Sequence, residues 1–327
     1  MIVGLLVIGA SLAGYYYLRL PATQAGQEKI FIVERGAATW QIAKKLKAEN
    51  FIDHELPFIV ATWLRGARNS LKAGEYLLKP GTTYWELVEL INQGKSQSYP
   101  VAIPEGFNLV SIINRLVENG VAKPEEALEL AYDKDFIKSL GLDAKSLEGY
   151  LYPDTYNLSY TQDTKAVLSM MVNRFKSVWD SLPLSNIKLS QHQIVTLASI
   201  IEKEARLDSE RPIISAVYHN RLKTGMLLQA DPTVVYGVDN YKGAITRKHL
   251  NTDHAYNTYL NFGLPPGPIC SPGKASLAAA LNPTNVNYLY FVATGWSDGS
   301  HFFAQTYTEH LRNVTKYRQN RRSAKAR

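Results

Sequence analysis

One stretch, Ile194-Val-Thr-Leu-Ala-Ser-Ile-Ile-Glu-Lys-Glu-Ala-Arg206, constrains this chain more than any other. Its apolar residues fall at Ile194, Leu197, Ala198, Ile201 and Ala205, the spacing of a helix that buries one face. Glu202 and Glu204 flank that face on opposite sides. Glu202 has Arg206 four residues on, a favourable helical pair. Glu204 has Ile200 and Leu207 as local neighbours and, if the helix continues, Asp208. Apolar surroundings and a like charge both favour a protonated carboxyl, so Glu204 is the better proton donor of the two. The competing reading is that both are solvated charges at a helix end, the usual place for glutamates.

A chain of 327 residues, 46% hydrophobic and 20% charged, can hold two or three domains and a sizeable core. Five of its basic residues lie in the last ten, and without them the net charge of +7 falls to about +2. No aromatic residue interleaves with that tail, so it reads as a solvated end and no nucleic-acid partner is expected. A single cysteine, Cys270, excludes an intramolecular disulfide.

Met1 to Leu18 carries no charged side chain, and Arg19 ends the run. Eighteen helical residues span roughly 27 Å, enough for a bilayer core. Tyr15, Tyr16 and Tyr17 suit the interface. A cleaved signal peptide would want a basic start and a small-residue cleavage site, and neither is evident. Residues 1–20 are therefore expected to be a transmembrane anchor, with 21–28 as a linker.

Beyond the linker, alternation predicts a strand over 29–34 and another over 72–79, bracketing helices over 38–50 and 55–64. Trp40 is among the residues available for burial. Thr83 and Glu86 form a capping-box pattern at the head of a helix beginning at Tyr84. A strand over 99–103 follows, and Asn108 caps a helix over 109–118. Long helices are expected over 163–182, 194–206 and 210–223, the last closed by Gly225. Strands over 288–293 and 301–304 and a helix over 307–318 finish the chain. The pattern is α+β, mainly helical in its second part, with a small sheet.

Metal chemistry finds no support: the histidines are scattered, and no His-Glu-x-x-His or cysteine pair exists. Walker, dinucleotide and Gly-x-Ser-x-Gly patterns are absent. Cys270, between prolines, reads as a loop filler. Carboxylate acid–base chemistry remains. Asp231-Pro232 looks like an N-cap followed by proline at the first helical position. Gln229, just before it, and the Tyr- and Asn-rich 255–261 suit a sugar, although such a loop can equally pack on a core.

Taken in order, Leu147-Glu-Gly-Tyr-Leu-Tyr-Pro-Asp-Thr-Tyr156, Glu202-Lys-Glu204, Asn220-Arg-Leu, Leu228-Gln-Ala-Asp-Pro-Thr233, Ala255-Tyr-Asn-Thr-Tyr259 and Gly263-Leu-Pro-Pro-Gly-Pro-Ile269 closely resemble the YceG-like family. Ala230 stands where many members have Thr. The resemblance implies a membrane helix, a LysM-like module at 29–98, a lytic-transglycosylase-like catalytic region at 99–318 and a basic tail at 319–327. It also implies an endolytic murein transglycosylase that needs no cofactor. Such an enzyme cleaves the MurNAc-β-1,4-GlcNAc bond and leaves 1,6-anhydro-MurNAc ends. By motif position Glu204 is the acid and then the base. Gln229, Asp231, Tyr256 and Asn257 belong to the substrate site. The implied partners are peptidoglycan glycan strands and peptidoglycan synthases. The implied location is the inner membrane, single-pass, with the catalytic region in the periplasm. Two other readings stay open on the residues alone. One is a non-catalytic wall-binding scaffold. The other is a hydrolase that pairs Glu204 with Asp231 or Asp154.

Overall fold

The computed structural model describes residues 14, 16–22, 28–159, 162–183, 185–238, 241 and 243–325. Most of the expected anchor lies outside these residues, and no described helix is long and apolar enough to cross a membrane. The chain divides into two compact units. The secondary structure mixes helices with two-stranded sheets, an α+β architecture.

The first unit is built on β1 (Lys29–Val33) and β2 (Gly74–Leu78), which pair antiparallel with Lys29 opposite Leu78. Alternation buries Phe31 and Val33 of β1. Between the strands lie α1 (Thr39–Ala48) and α2 (Glu55–Leu64), and after β2 comes α3 (Tyr84–Gln93). Ile42, Leu46, Phe58, Tyr76, Leu87 and Ile91 close the core. The capping box at α3 forms as expected, with Thr83 accepting from the Glu86 amide. Trp40 departs from expectation: it stays 58% exposed, because Ile42, Ala43 and Leu46 fill the inward face of α1. Pro21 and Ala22 do not hang free as a linker. Pro21 bridges to Thr83, and the Ala22 amide donates to the Thr82 carbonyl at 2.8 Å. A further short sheet joins β3 (Tyr99–Ala102) to β4 (Thr155–Leu158).

The second unit is mainly helical. It begins with α4 (Leu109–Glu118), α5 (Pro124–Tyr132) and α6 (Lys134–Ser139), followed by α7 (Thr164–Asp180). Asn108 caps α4 through the Ser111 amide at 2.8 Å. The central helix, α8 (Gln191–Glu204), starts from a Ser190–Gln193 capping box. Around it pack α9 (Arg211–Lys223), α10 (Asp231–Tyr236) and α12 (Lys274–Leu281), with the short α11 (Arg247–Leu250) preceding α12. A hairpin of β5 (Tyr290–Ala293) and β6 (His301–Ala304) leads into α13 (Tyr307–Lys325). The basic tail is therefore helical as far as Lys325 rather than a loose end.

Two differences concern α8. Every residue from Ile194 to Ile201 is buried, so the middle of the helix is enclosed on all sides, and only its ends, at Gln193 and Lys203, are exposed. Its hydroxyls are satisfied internally: Thr196 Oγ1 donates to the His192 carbonyl and Ser199 Oγ to the Thr196 carbonyl. The helix also stops at Glu204, two residues early, where Ala205 turns to extended backbone.

Gly149 shows how closely the surrounding segments approach α8. It has φ +83°, and a methyl group there would lie 2.5 Å from Pro268 Cβ and 3.0 Å from Val195 Cγ1. Left-handed strain and overpacking then add, at about 2–4 kcal/mol. Gly149→Ala is expected to lower the urea midpoint by a corresponding amount; an unchanged midpoint would show that these segments give way freely.

Candidate active site

Four elements converge on Glu204. It is the last residue of α8, where unpaired carbonyls make the helix end electronegative and disfavour a carboxylate. From α9 come Tyr218 and Arg221, one turn apart and both buried. From the head of α10 comes Asp231, and from the loop after α11 comes Tyr259. Burial pushes the Glu204 carboxyl up to about 7 from 4.5, and the Asp231 charge pushes in the same direction. Tyr218 and Arg221 oppose the rise without cancelling it. The Tyr218 hydroxyl is buried and finds no other hydrogen-bond partner among the described residues.

Asp231 is held in place. Tyr259 Oη donates to Asp231 Oδ1 at 2.6 Å. The loop before it is stitched down at three points. Arg221 Nη1 donates to the Leu228 carbonyl at 2.7 Å, the Gln229 amide to the Thr258 carbonyl at 3.1 Å, and the Ala230 amide to Thr258 Oγ1 at 3.0 Å. These bonds hold Gln229 at φ +48°, a left-handed conformation that a residue with a side chain adopts only under constraint. Its side chain is exposed. Asp231 is the first residue of α10, not its cap; Ala230 takes the cap position, which frees the Asp231 carboxylate for Tyr259.

Glu202 has a different fate. It pairs with Arg211 at 3.3 Å, not with Arg206, and accepts the Gly273 amide at 3.0 Å. Arg206 instead lies over Gly299. Asp208 is not the like charge beside Glu204, because the helix ends first; it binds Arg211 at 2.9 Å. Asp154 is paired with Arg174 at 2.7 Å. A cleft of about 430 Å³ opens beside Glu204, lined by Lys203, Arg206, Trp296, Tyr317 and Arg321 among others. The basic side chains give this cleft a cationic wall.

The loop over 255–261 splits its residues between roles. Asn257 is fully buried, and its amide donates to the Leu250 and Thr252 carbonyls while its oxygen accepts from the Tyr259 amide. No polar atom is left for a sugar, so Asn257 supports the loop instead of touching a ligand. Tyr256 packs on Tyr236, ring centroids 4.8 Å apart, beside a second buried carboxyl, Glu148. Tyr259, two residues beyond Asn257, is the tyrosine that reaches the Glu204 neighbourhood. Residue typing did not single it out, although the same tyrosine-rich motif contains it.

Glu148 is also pushed up to about 7 by burial. Its oxygens accept the Leu109 amide at 3.0 and 3.1 Å and the Tyr236 hydroxyl at 3.0 Å, which ties the start of α4 to α10. Cys270 is buried, with burial raising its thiol far above the usual range, so it is inert as a nucleophile. Among the described residues no group of His, Cys, Asp and Glu could hold a metal ion.

Fold and site together define an α+β protein with a glutamate of raised proton affinity at the lip of a cleft. The model of the YceG-like family matches residues 31–316, and the chain belongs to that family. It is 31% identical to a Bacillus subtilis protein named endolytic murein transglycosylase, over 96% of this chain and 91% of that protein. A Streptococcus pneumoniae protein of the same name is 28% identical over 93% of this chain, which spans 62% of that protein's length. A crystal structure of a yceG-like protein from Listeria monocytogenes matches with TM-score 0.58 and 31% identity, over 88% of this chain and 99% of that one.

Because its folded pKa lies above its unfolded one, Glu204 favours the native state in its protonated form. Stability therefore falls as pH rises from 4.5 to about 7, where the native state binds more protons. Glu204→Gln is expected to match the wild type at low pH and to exceed it by on the order of 3 kcal/mol above neutrality. Urea midpoints across that range test this, and a pH-independent difference would contradict it.

Proposed function

We propose that the chain is an endolytic peptidoglycan lytic transglycosylase in which Glu204 is the sole acid and base. What carries this reading is the state of Glu204: half-buried, without an ion-pair partner among the described residues, beside a cleft, and poised to hold or release a proton near pH 7. The names of its relatives supply the substrate, a murein glycan strand.

In the reaction, protonated Glu204 gives its proton to the glycosidic oxygen of the leaving GlcNAc as the bond to the muramyl C1 breaks. The resulting carboxylate then takes the proton of the muramyl C6 hydroxyl while that oxygen bonds to C1. The proton count closes, Glu204 ends protonated, and water takes no part. A single group must serve as acid and then base, and a pKa near the working pH suits both steps. Burial, with the charge of Asp231 fixed by Tyr259 adding to it, favours the protonated resting glutamate. Gln229, strained and exposed one residue before Ala230, is the first candidate for a direct sugar contact, with Tyr256 second.

In this account residues 1–20 anchor the protein in the inner membrane, the 29–98 module is LysM-like, and the catalytic region acts on the wall side. There it cuts strands as synthases extend them, ending their growth. A hydrolase would use Asp231 as the second carboxylate. The two mechanisms part at the product.

Mass spectrometry of glycan strands digested by the protein is expected to find 1,6-anhydro-muramyl ends, and folded Glu204→Gln to lose at least about a hundredfold in rate. Reducing ends instead would establish hydrolysis. Native-rate cleavage by Glu204→Gln would remove Glu204 from the mechanism, and no cleavage by the wild type would leave a scaffold.

A further inference from the structure

The outer face of α2 is apolar and uncovered. Leu56 is 73% exposed, Val60 45%, Trp63 66% and Leu64 50%. Spaced at four, seven and eight residues from the first, they share one helical face. The only charged side chain of α2 is Glu55, at its first position. A soluble surface seldom presents so continuous an apolar stripe without a partner.

The structure also indicates what lies next to that stripe. An apolar cavity of about 530 Å³ is lined by Leu56, Val60 and Leu64 of α2 and, opposite them, by Gly14, Tyr17 and Leu18. These last residues close the uncharged run that begins at Met1. Their junction with the unit is fastened at several points. Leu18 is buried in its core, and the Trp85 amide donates to the Leu18 carbonyl at 3.2 Å. The Tyr17 ring stacks on Tyr84 at 6.2 Å, and Pro21 bridges to Thr83. A chain leaving a bilayer just ahead of Leu18 therefore enters this unit with no slack. The α2 face is held beside the point of exit.

We propose that the α2 face made by Leu56, Val60, Trp63 and Leu64 seats this unit in the headgroup–acyl boundary of the bilayer that the anchor enters ahead of Leu18. This rests on the anchor proposed above. A helix with an apolar stripe lies in that layer with its axis along the surface, and tryptophan favours that depth. The exposed Tyr16 and Leu20, flanking the same junction, extend the apolar contact. Seated this way, the strand–helix–helix–strand unit cannot swing about the membrane helix, and its orientation to the bilayer is set.

The test uses the full chain reconstituted in phosphatidylcholine vesicles, with and without bromine on the upper acyl carbons. Subtracting the emission of Trp63→Phe from that of the wild type isolates Trp63. The expected result is that this difference emission is strongly quenched by the brominated lipid, and that the exposed-face variant Leu56→Asp/Val60→Asp removes the quenching while the protein still floats with the vesicles. If the protein floats and Trp63 is unquenched, the seat is wrong and the anchor stands. If the protein does not float, both are wrong. Trp40 and Trp63 also line a groove with Arg68 and Asn69. A Trp63 emission that ignores brominated lipid but shifts with soluble GlcNAc oligomers would overturn the membrane seat in favour of glycan.

Discussion

The structure of the site depends on enclosing the middle of α8 and ending the helix in a carboxyl. Eight consecutive residues of that helix are buried, with α9, α10 and α12 around it. A helix so enclosed delivers its last side chain to a fixed point, and the unpaired carbonyls of its final turn act on that side chain. Glu204 therefore meets low solvation, an electronegative helix end and the nearby Asp231 together. Each favours the protonated form. The surrounding contacts maintain the arrangement: Arg221 spends its hydrogen bonds on the Leu227, Leu228 and Leu289 carbonyls, which pins the loop that leads to Asp231.

Comparison with three other glutamates of the second unit separates Glu204 from ordinary structural ones. Glu202 is neutralised by Arg211 and the Gly273 amide. Glu210 is bound on both oxygens by His301. Glu148 has an elevated pKa like Glu204, yet its oxygens are occupied by the Leu109 amide and the Tyr236 hydroxyl, and it serves as a joint between helices. Only Glu204 of these four combines a raised proton affinity, a cleft and freedom from strong partners among the described residues. Burial alone makes a carboxyl hard to ionise; chemistry also requires access.

Much of this was legible in the sequence wherever the signal was local. The Thr83–Glu86 box, the Asn108 cap, the α2 boundaries and β6 follow from residue type and spacing. The preference for Glu204 over Glu202 also follows from sequence, but the reasons did not. Helical spacing paired Glu202 with Arg206 and gave Glu204 the neighbour Asp208. The fold replaced these with Arg211 and Asp231, because the helix stops at Glu204 and residues distant in sequence close around it. Tyrosine and asparagine content suggested sugar contacts, but composition cannot tell a free amide from one spent inside its own loop. Asn257 is the second kind. The exposed face of α2 was hidden for the opposite reason, since an apolar helix reads as core until its surroundings are known.

The central claim is that burial, reinforced by the Asp231 charge that Tyr259 holds in place, raises the proton affinity of Glu204. Its most direct test is the pH–rate profile of anhydro-product formation for the wild type and for Asp231→Asn. The wild-type rate should fall on the alkaline side near pH 7, as Glu204 loses its proton. Removing the neighbouring negative charge should move that fall to lower pH, with the product unchanged. A profile that stays in place in the folded variant would contradict the account.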